Sequence, residues 1–129
     1  MNLDRTGFIL YTIKYQECVD FYKNILELPV LFKAENLTCF SFGNAYLMIE
    51  LDKDYHGEKE KNQQRIQTCL RMNVSQIREL SDKLISKGIK VNYQEHSWGT
   101  VAKFFDPDGN LCAFKDSEKF EKQIIGYKK

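Results

Sequence analysis

The segment from Trp98 to Leu111 constrains the fold more than any other part of this chain. An aromatic-rich stretch ending in Phe104-Phe105 runs into Asp106-Pro107-Asp108-Gly109-Asn110 and out again into an apolar stretch that starts at Leu111. Pro107 presets φ at the first corner of a turn, and Asp106 and Asp108 can accept from nearby backbone amides. Gly109 takes the positive φ that closes the turn without a steric penalty. The segment therefore predicts a tight hairpin between two strands, and hence an antiparallel pair near the C-terminus.

The rest of the chain reads as two similar halves. The first opens with a strand over 8–15, followed by a helix over 17–26 in which Val19, Tyr22, Ile25 and Leu26 recur at helical spacing. Extended segments follow at 28–33, 38–42 and 45–51, the last two joined by Gly43-Asn44. The second half opens with a strand over 66–74. Ser75 stands where an N-cap would for a helix over 76–87 with apolar Ile77, Leu80, Leu84 and Ile85, and Gly88 ends it. Extended segments at 89–93, 100–105 and 111–115 precede a last helix over 117–125 carrying Phe120, Ile124 and Ile125. Between the halves, residues 52–65 are polar and read as an exposed connector. A chain of 129 residues forms one domain, so the halves are modules of that domain, duplicated over about 60 residues in element order if not in residue identity.

The final hairpin motif, together with Phe21-Tyr22 and Leu26-Glu27-Leu28 in the first helix and its exit, resembles the vicinal oxygen chelate superfamily, the glyoxalase/bleomycin-resistance/dioxygenase group. The resemblance runs from about residue 7 to residue 116. It implies an α+β fold: two βαβββ modules, 7–51 and 66–116, forming an open, cup-shaped, mixed sheet of eight strands, with a short C-terminal helix over 117–125. Glu27 replaces the glycine usual in the family and is expected to take a left-handed conformation.

Alternation along the strands separates the two sheet faces. Leu70, Met72 and Val74 share one face and Cys69, Arg71 and Asn73 the other. A helix must cover apolar surface, so the Leu70 face belongs under the second helix and Arg71 points into the cup or to water. In the first strand, Phe8 and Leu10 match the helix side, and Gly7, Ile9, Tyr11 and Ile13 the cup side. A guanidinium in a concave apolar site needs a partner. Either Arg71, with Lys103 and Lys115, attracts an anionic group on a ligand, or it pairs with an internal carboxylate such as Glu50 or reaches solvent. Tyr11, Trp98 and Phe105 are candidate aromatic walls, which makes Tyr11, Glu50, Arg71, Trp98, Lys103 and Phe105 the candidate ligand-binding set.

Enzymes of the superfamily hold a divalent metal with His, Gln or Glu ligands on the first and last strands of their modules. Carried over position by position, the resemblance puts those ligands at Gly7, at Cys69 with Thr68 as a one-residue slip, and at Ala113. Only the end of the first module offers a carboxylate, Glu50, and counting from Gly43 instead reaches Leu47. Gly7 and Ala113 carry no donor atom, and a lone thiolate with one carboxylate matches no common site type. Of the two histidines, His56 lies in the connector and His96 in an expected loop near the cup rim. Glu50, with His96 or Tyr11, is the candidate for acid–base work.

The expectation is therefore a small-molecule-binding protein with no cofactor, accepting ligands that include anionic ones, and similar to the bleomycin-resistance branch. One alternative is a lyase or isomerase of the glyoxalase (lactoylglutathione lyase) type using a divalent metal such as zinc or nickel. The other is a non-catalytic interaction module. Family members usually pair, so a homodimer is expected. A net charge of +1 supplies no field for nucleic acid or an anionic membrane. Apolar runs fall far short of the roughly 20 residues of a membrane span. Cys18, Cys39, Cys69 and Cys112 form no Cys-x-x-Cys pair and read as reduced core thiols. With no apolar stretch at the N-terminus, the protein is expected in the cytoplasm.

Overall fold

The computed structural model describes residues 1–53 and 65–128 of the chain. Eight strands form one mixed sheet: β1 (Arg5–Thr12), β2 (Val30–Ala34), β3 (Leu37–Phe42), β4 (Ala45–Leu51), β5 (Thr68–Val74), β6 (Asn92–His96), β7 (Gly99–Phe105) and β8 (Leu111–Asp116). Helix α1 (Tyr15–Asp20) continues as a π-helical turn over Phe21–Ile25, α2 spans Ile77–Ser86, and α3 spans Ser117–Lys128. The spatial order is β2-β3-β4-β1-β5-β8-β7-β6. Each module thus forms four neighbouring strands, and the two meet at an antiparallel β1–β5 seam. β1 pairs with β4, and β5 with β8, in parallel, so the βαβββ duplication is present as expected.

The C-terminal hairpin follows its turn chemistry. Val101 to Phe105 pair with Lys115 to Leu111, and one Asp106 carboxylate oxygen accepts from the Asp108 and Asn110 amides at 2.9 Å each. Gly109 takes φ +85°. Glu27 has φ +57°, the left-handed conformation anticipated from its place at the exit of the first helix.

Burial divides as the alternation requires. One outer cluster packs Val19, Phe40, Leu47 and Ile49 with Leu10 and Tyr22 beneath α1. Another packs Val74, Ile77, Ala102 and Phe114 with Met72, Leu80 and Leu84 beneath α2. The third, on the concave side, contains Ile9, Phe32, Cys39, Tyr46, Met48, Cys69, Val101 and Ala113. Cys39, Cys69 and Cys112 are buried, Cys18 is half-buried, and all four are free thiols.

Several expectations need correction. β1 runs from Arg5 to Thr12 rather than 8–15, because pairing to β4 and β5 holds its N-terminal end while Tyr15 already opens α1. Ile13 therefore lies beyond the strand and is exposed. Ser75 does not cap α2: its hydroxyl donates to Asp4, and Gln76 occupies the N-cap without a side-chain bond. Ile85 is exposed, and buried Ser81 stands on the packed face of α2 instead, its hydroxyl donating to the Ile77 carbonyl. β6 covers Asn92–His96 rather than 89–93, so His96 ends an edge strand. That strand is polar, and nothing in its hydropathy announced it. Phe8 and Leu70 face each other across the seam and stay about two-fifths exposed, because α1 and α2 cover only the flanks of the sheet.

The largest departure is α3. It reaches Lys128, and it packs against the concave side, where Phe120 is fully buried and Ile124 nearly so. The Phe120 ring lies 4.6 Å from that of Tyr46 and 5.4 Å from that of Phe32. The cup is thus partly filled from within by the chain's own C-terminus. No helix among the described residues is long and apolar enough to cross a membrane.

Candidate functional site

Beside the filled part, a broad groove of about 1200 Å³ stays open on the concave face, lined by Tyr11, Glu50, Arg71, Trp98, Lys103 and Lys115 among others. Strand pairing sets their positions. Arg71 faces Ala113 across β5–β8, Asn73 faces Lys115, and Lys103 faces Ala113 across β7–β8. Arg71, Asn73, Lys103 and Lys115 therefore share one face over three adjacent strands. All six candidate ligand-binding residues line this groove, Phe105 included. His96 does not; its ring stacks on Trp98 at 4.4 Å. His56 lies outside the described residues.

Three buried donors in this patch lack acceptors: Arg71 Nε, Asn73 Nδ2 and Lys115 Nζ. Arg71 is 6% exposed and Lys115 2%. A buried donor with no acceptor costs about 1–3 kcal/mol, and more when charged, so three of them in one patch are a local cost to the fold. Arg71 neither reaches solvent nor forms an ion pair with Glu50 among the described residues. Lys115 Nζ sits 4.5 Å over the Trp98 indole and 3.7 Å from an Asp116 carboxylate oxygen, too far for a hydrogen bond. That oxygen accepts from the Thr100 amide instead. Gly99 makes room for the amine, since a Cβ there would lie 2.0 Å from Nζ.

The electrostatics follow from burial. Desolvation pushes the Glu50 carboxyl above its usual value, although Arg71 and Lys103 pull the other way. Desolvation lowers the Lys115 ammonium to about 8, aided by Arg71 and opposed by Asp116. The Cys69 thiol is raised to about 11 by burial, and Tyr11 rises for the same reason. Neither Cys69 nor Tyr11 is poised to ionise near neutral pH.

The positions expected to correspond to the family's metal ligands converge on the concave face but carry the wrong chemistry. If Cys69 is the counterpart of Gly7, then Arg71 corresponds to Ile9 and Asn73 to Tyr11. Ile9 pairs with Met48 and Arg71 with Ala113; Tyr11 pairs with Glu50 and Asn73 with Lys115. Register thus makes Met48 the counterpart of Ala113, where counting along the sequence reached Leu47 or Glu50. Leu47 packs under α1, away from the cup. Glu50 is the counterpart of Lys115. The absent side chain at Gly7 is occupied space: a Cβ there would lie 2.5 Å from the Tyr46 ring. Tyr46 is fully buried, and its hydroxyl donates to Asn73 Oδ1 at 2.7 Å. Among the described residues, no three His, Cys, Asp or Glu side chains come together as a metal-holding group. The donor set at Gly7, Met48, Cys69 and Ala113 does not fit a divalent metal of the family type.

Sequence reasoning missed the tilted ring contact of Tyr46 with Phe120 and the unpaired amide of Asn73. Alternation did place Asn73 on the Arg71 face, and that was the available signal. No pattern in the sequence joined α3 to the cup.

Comparison with known proteins agrees with this architecture. A family model described as Glyoxalase/Bleomycin resistance protein/Dioxygenase superfamily matches residues 3–114. The uncharacterized protein YraH of Bacillus subtilis (strain 168) is 29% identical over 109 residues, covering 75% of this chain and 85% of that protein. A superfamily member from Vibrio splendidus 12B01 superposes with a TM-score of 0.63 at 18% identity, over 90% of this chain and 100% of the other. A chain described as NAD-dependent benzaldehyde dehydrogenase from Legionella pneumophila gives a TM-score of 0.70 at 14% identity, over 86% of this chain and 97% of the other. At such identities the structural likenesses speak to the fold alone. The duplicated βαβββ sheet and a family match running from β1 into β8 lead to one conclusion: this chain belongs to the Glyoxalase/Bleomycin resistance protein/Dioxygenase superfamily.

Proposed function

We propose that this protein binds a small organic anion in the concave groove and does so without a divalent metal. The observation that carries the reading is the pair of buried cationic side chains, Arg71 and Lys115, each with a donor lacking an acceptor and each lining the groove. A carboxylate or phosphonate supplies the missing acceptors, and guanidinium geometry suits either. Trp98, Phe105 and Tyr11 offer aromatic surface to the rest of the ligand. Calorimetry with matched acids and amides tests this. Acids are expected to bind and their amides to bind at least tenfold more weakly, and Arg71→Met should weaken acid binding ~10–100-fold, the scale of a charged hydrogen bond. Equal binding of acid and amide would overturn the anionic part of the reading. Stoichiometric micromolar binding of zinc or nickel, with turnover of methylglyoxal hemithioacetal, would instead favour a glyoxalase-type lyase. A second reading, an interaction module, draws support from Phe120 and Ile124, which already fill part of the cup.

We also propose that the chain forms a homodimer. The Phe8–Leu70 pair on the outer face of the seam supports this, because large apolar side chains there are left uncovered by α1 and α2. Sedimentation at micromolar concentration is expected to give a dimer, and Leu70→Lys to give a monomer of unchanged helix content. A monomeric parent protein would count against the proposal.

A further inference from the structure

We infer that Lys115 traps carbonyl compounds: a 2-oxo acid seated in the groove sets its carboxylate on Arg71 and forms an imine with the Lys115 side-chain nitrogen. The inference rests on the anion-binding reading above and adds a covalent step to it.

Position supports it first. Lys115 Nζ lines the groove, is almost fully buried and makes no hydrogen bond. Asp116, at 3.7 Å, is the carboxylate beside it, and that carboxylate is engaged by the backbone amides of Thr100 and Lys119. The nitrogen lone pair is therefore not tied up by a bonded acid. Gly99 opens the space the amine occupies, and the Trp98 indole covers it on one side. Arg71 and Lys115 stand on adjacent parallel strands, displaced by two residues on the same face. With strands ~4.8 Å apart and a rise of ~3.3 Å per residue, such neighbours lie ~8 Å apart at their Cα atoms, so their long side chains can converge on one small ligand. In a 2-oxo acid the carboxylate carbon is bonded directly to the keto carbon. An acid anchored at Arg71 therefore brings an electrophilic carbon towards the neighbouring amine.

Reactivity supports it second. The charged groups acting on Lys115 are Asp116, Arg71 and Lys119, and burial outweighs the stabilising one. With the ammonium at about 8, roughly a tenth of the molecules carry a free amine at pH 7. A desolvated lysine beside a second cation is the usual arrangement of an imine-forming amine. The free amine adds to the keto carbon to give a carbinolamine. Its hydroxyl gains a proton and leaves as water, and a protonated imine remains. Overall, an ammonium and a ketone become an iminium and a water. Charge is conserved, and no oxidant or reductant is consumed.

The test pairs phenylpyruvate with phenyllactate, which keeps the carboxylate and ring but has a hydroxyl in place of the keto group. The full-length protein is incubated with phenylpyruvate and cyanoborohydride, then analysed by intact mass and peptide mapping. One adduct is expected, heavier by the mass of the acid less one oxygen atom and located at Lys115. Trapping should disappear in Lys115→Met, slow at least tenfold in Arg71→Met, and persist in Lys83→Ala, an exposed lysine of α2 outside the groove. Its rate should rise between pH 6 and pH 8. Adducts on Lys103 or scattered over surface lysines would overturn the inference. Calorimetric binding of phenyllactate without any phenylpyruvate adduct would overturn the imine and leave the anion-binding groove standing. Failure of both acids to bind would overturn both.

Discussion

Phe120→Ala is expected to lower the free energy of unfolding by about 3–5 kcal/mol, the range for truncating a buried aromatic core residue. Phe120 is fully buried, with the rings of Tyr46 and Phe32 as neighbours at 4.6 and 5.4 Å. Among the described residues, the side-chain polar contacts of α3 with the sheet and its loops lie at exposed or half-exposed positions, the Lys119 amine donating to the Ser97 carbonyl among them. The Arg5–Glu121 pair, at 2.7 Å, is substantially exposed on both sides, and such pairs contribute little. The Ser117 hydroxyl donates to Asp4 at the exposed start of the helix. The apolar anchors Phe120 and Ile124 must therefore supply most of the attachment. Urea denaturation followed by far-UV circular dichroism measures the loss. A change below about 1 kcal/mol would mean that α3 rests on the cup without helping to hold it together.

Lys115→Met is expected to stabilise the protein at neutral pH, and the gain should fade in alkali. An ammonium whose ordinary value is 10.5 titrates at about 8 in the folded chain. Between those values the unfolded chain binds more protons than the folded one, so the contribution of Lys115 to stability rises with pH across that window. Below it, burying the charge costs ~3 kcal/mol, partly offset by the contact with the Trp98 ring. Methionine has nearly the same length and no charge to desolvate. The variant should gain about 1–3 kcal/mol at pH 7 and nothing by about pH 10.5. Burial also raises the thiols and phenols of Cys39, Cys69 and Tyr46, and their unfolded-state ionisation erodes stability in alkali for parent and variant alike. The difference between the two proteins is therefore the quantity to follow. A variant less stable than the parent at pH 7 would show that Lys115 makes favourable contacts that outweigh its desolvation.

A lysine buried at such a cost on the wall of an open groove fits the proposed anion-binding role better than a packing role. The same holds for Arg71, whose buried Nε has no acceptor. Glu50 lines the same groove, yet no ion pair joins the two among the described residues. A ligand bringing an acceptor into the groove would satisfy both donors, in keeping with the anion binding proposed above.

Much of the architecture was legible in the sequence because it depends on local chemistry. Asp106-Pro107-Asp108-Gly109 has one low-energy way to turn, and it produced the β7–β8 hairpin. Glu27 took the left-handed conformation required by its place at the end of the first helix. Period-two alternation in β1 put Tyr11 on the cup side; in β5 it set Arg71 opposite the helix-packed face but left cup or water open, and the fold turned it to the groove. Reading failed where local preference is weak. β6 is a polar edge strand, held by its pairing to β7 rather than by a buried face, so the strand was placed too early and His96 in a loop.

By itself the sequence determined the element order of the two βαβββ modules, the β7–β8 turn and the split of faces in β1 and β5, since each follows from backbone preference or side-chain period over a few neighbours. Tertiary structure alone decided what occupies the cup. The Tyr46 ring sits over Gly7 and meets Phe120 from the far end of the chain, and Arg71 and Lys115 share one face of adjacent strands β5 and β8, each with a donor lacking an acceptor. The reason is physical: these contacts join residues dozens of positions apart, and no local rule records which of them the closing sheet will bring face to face.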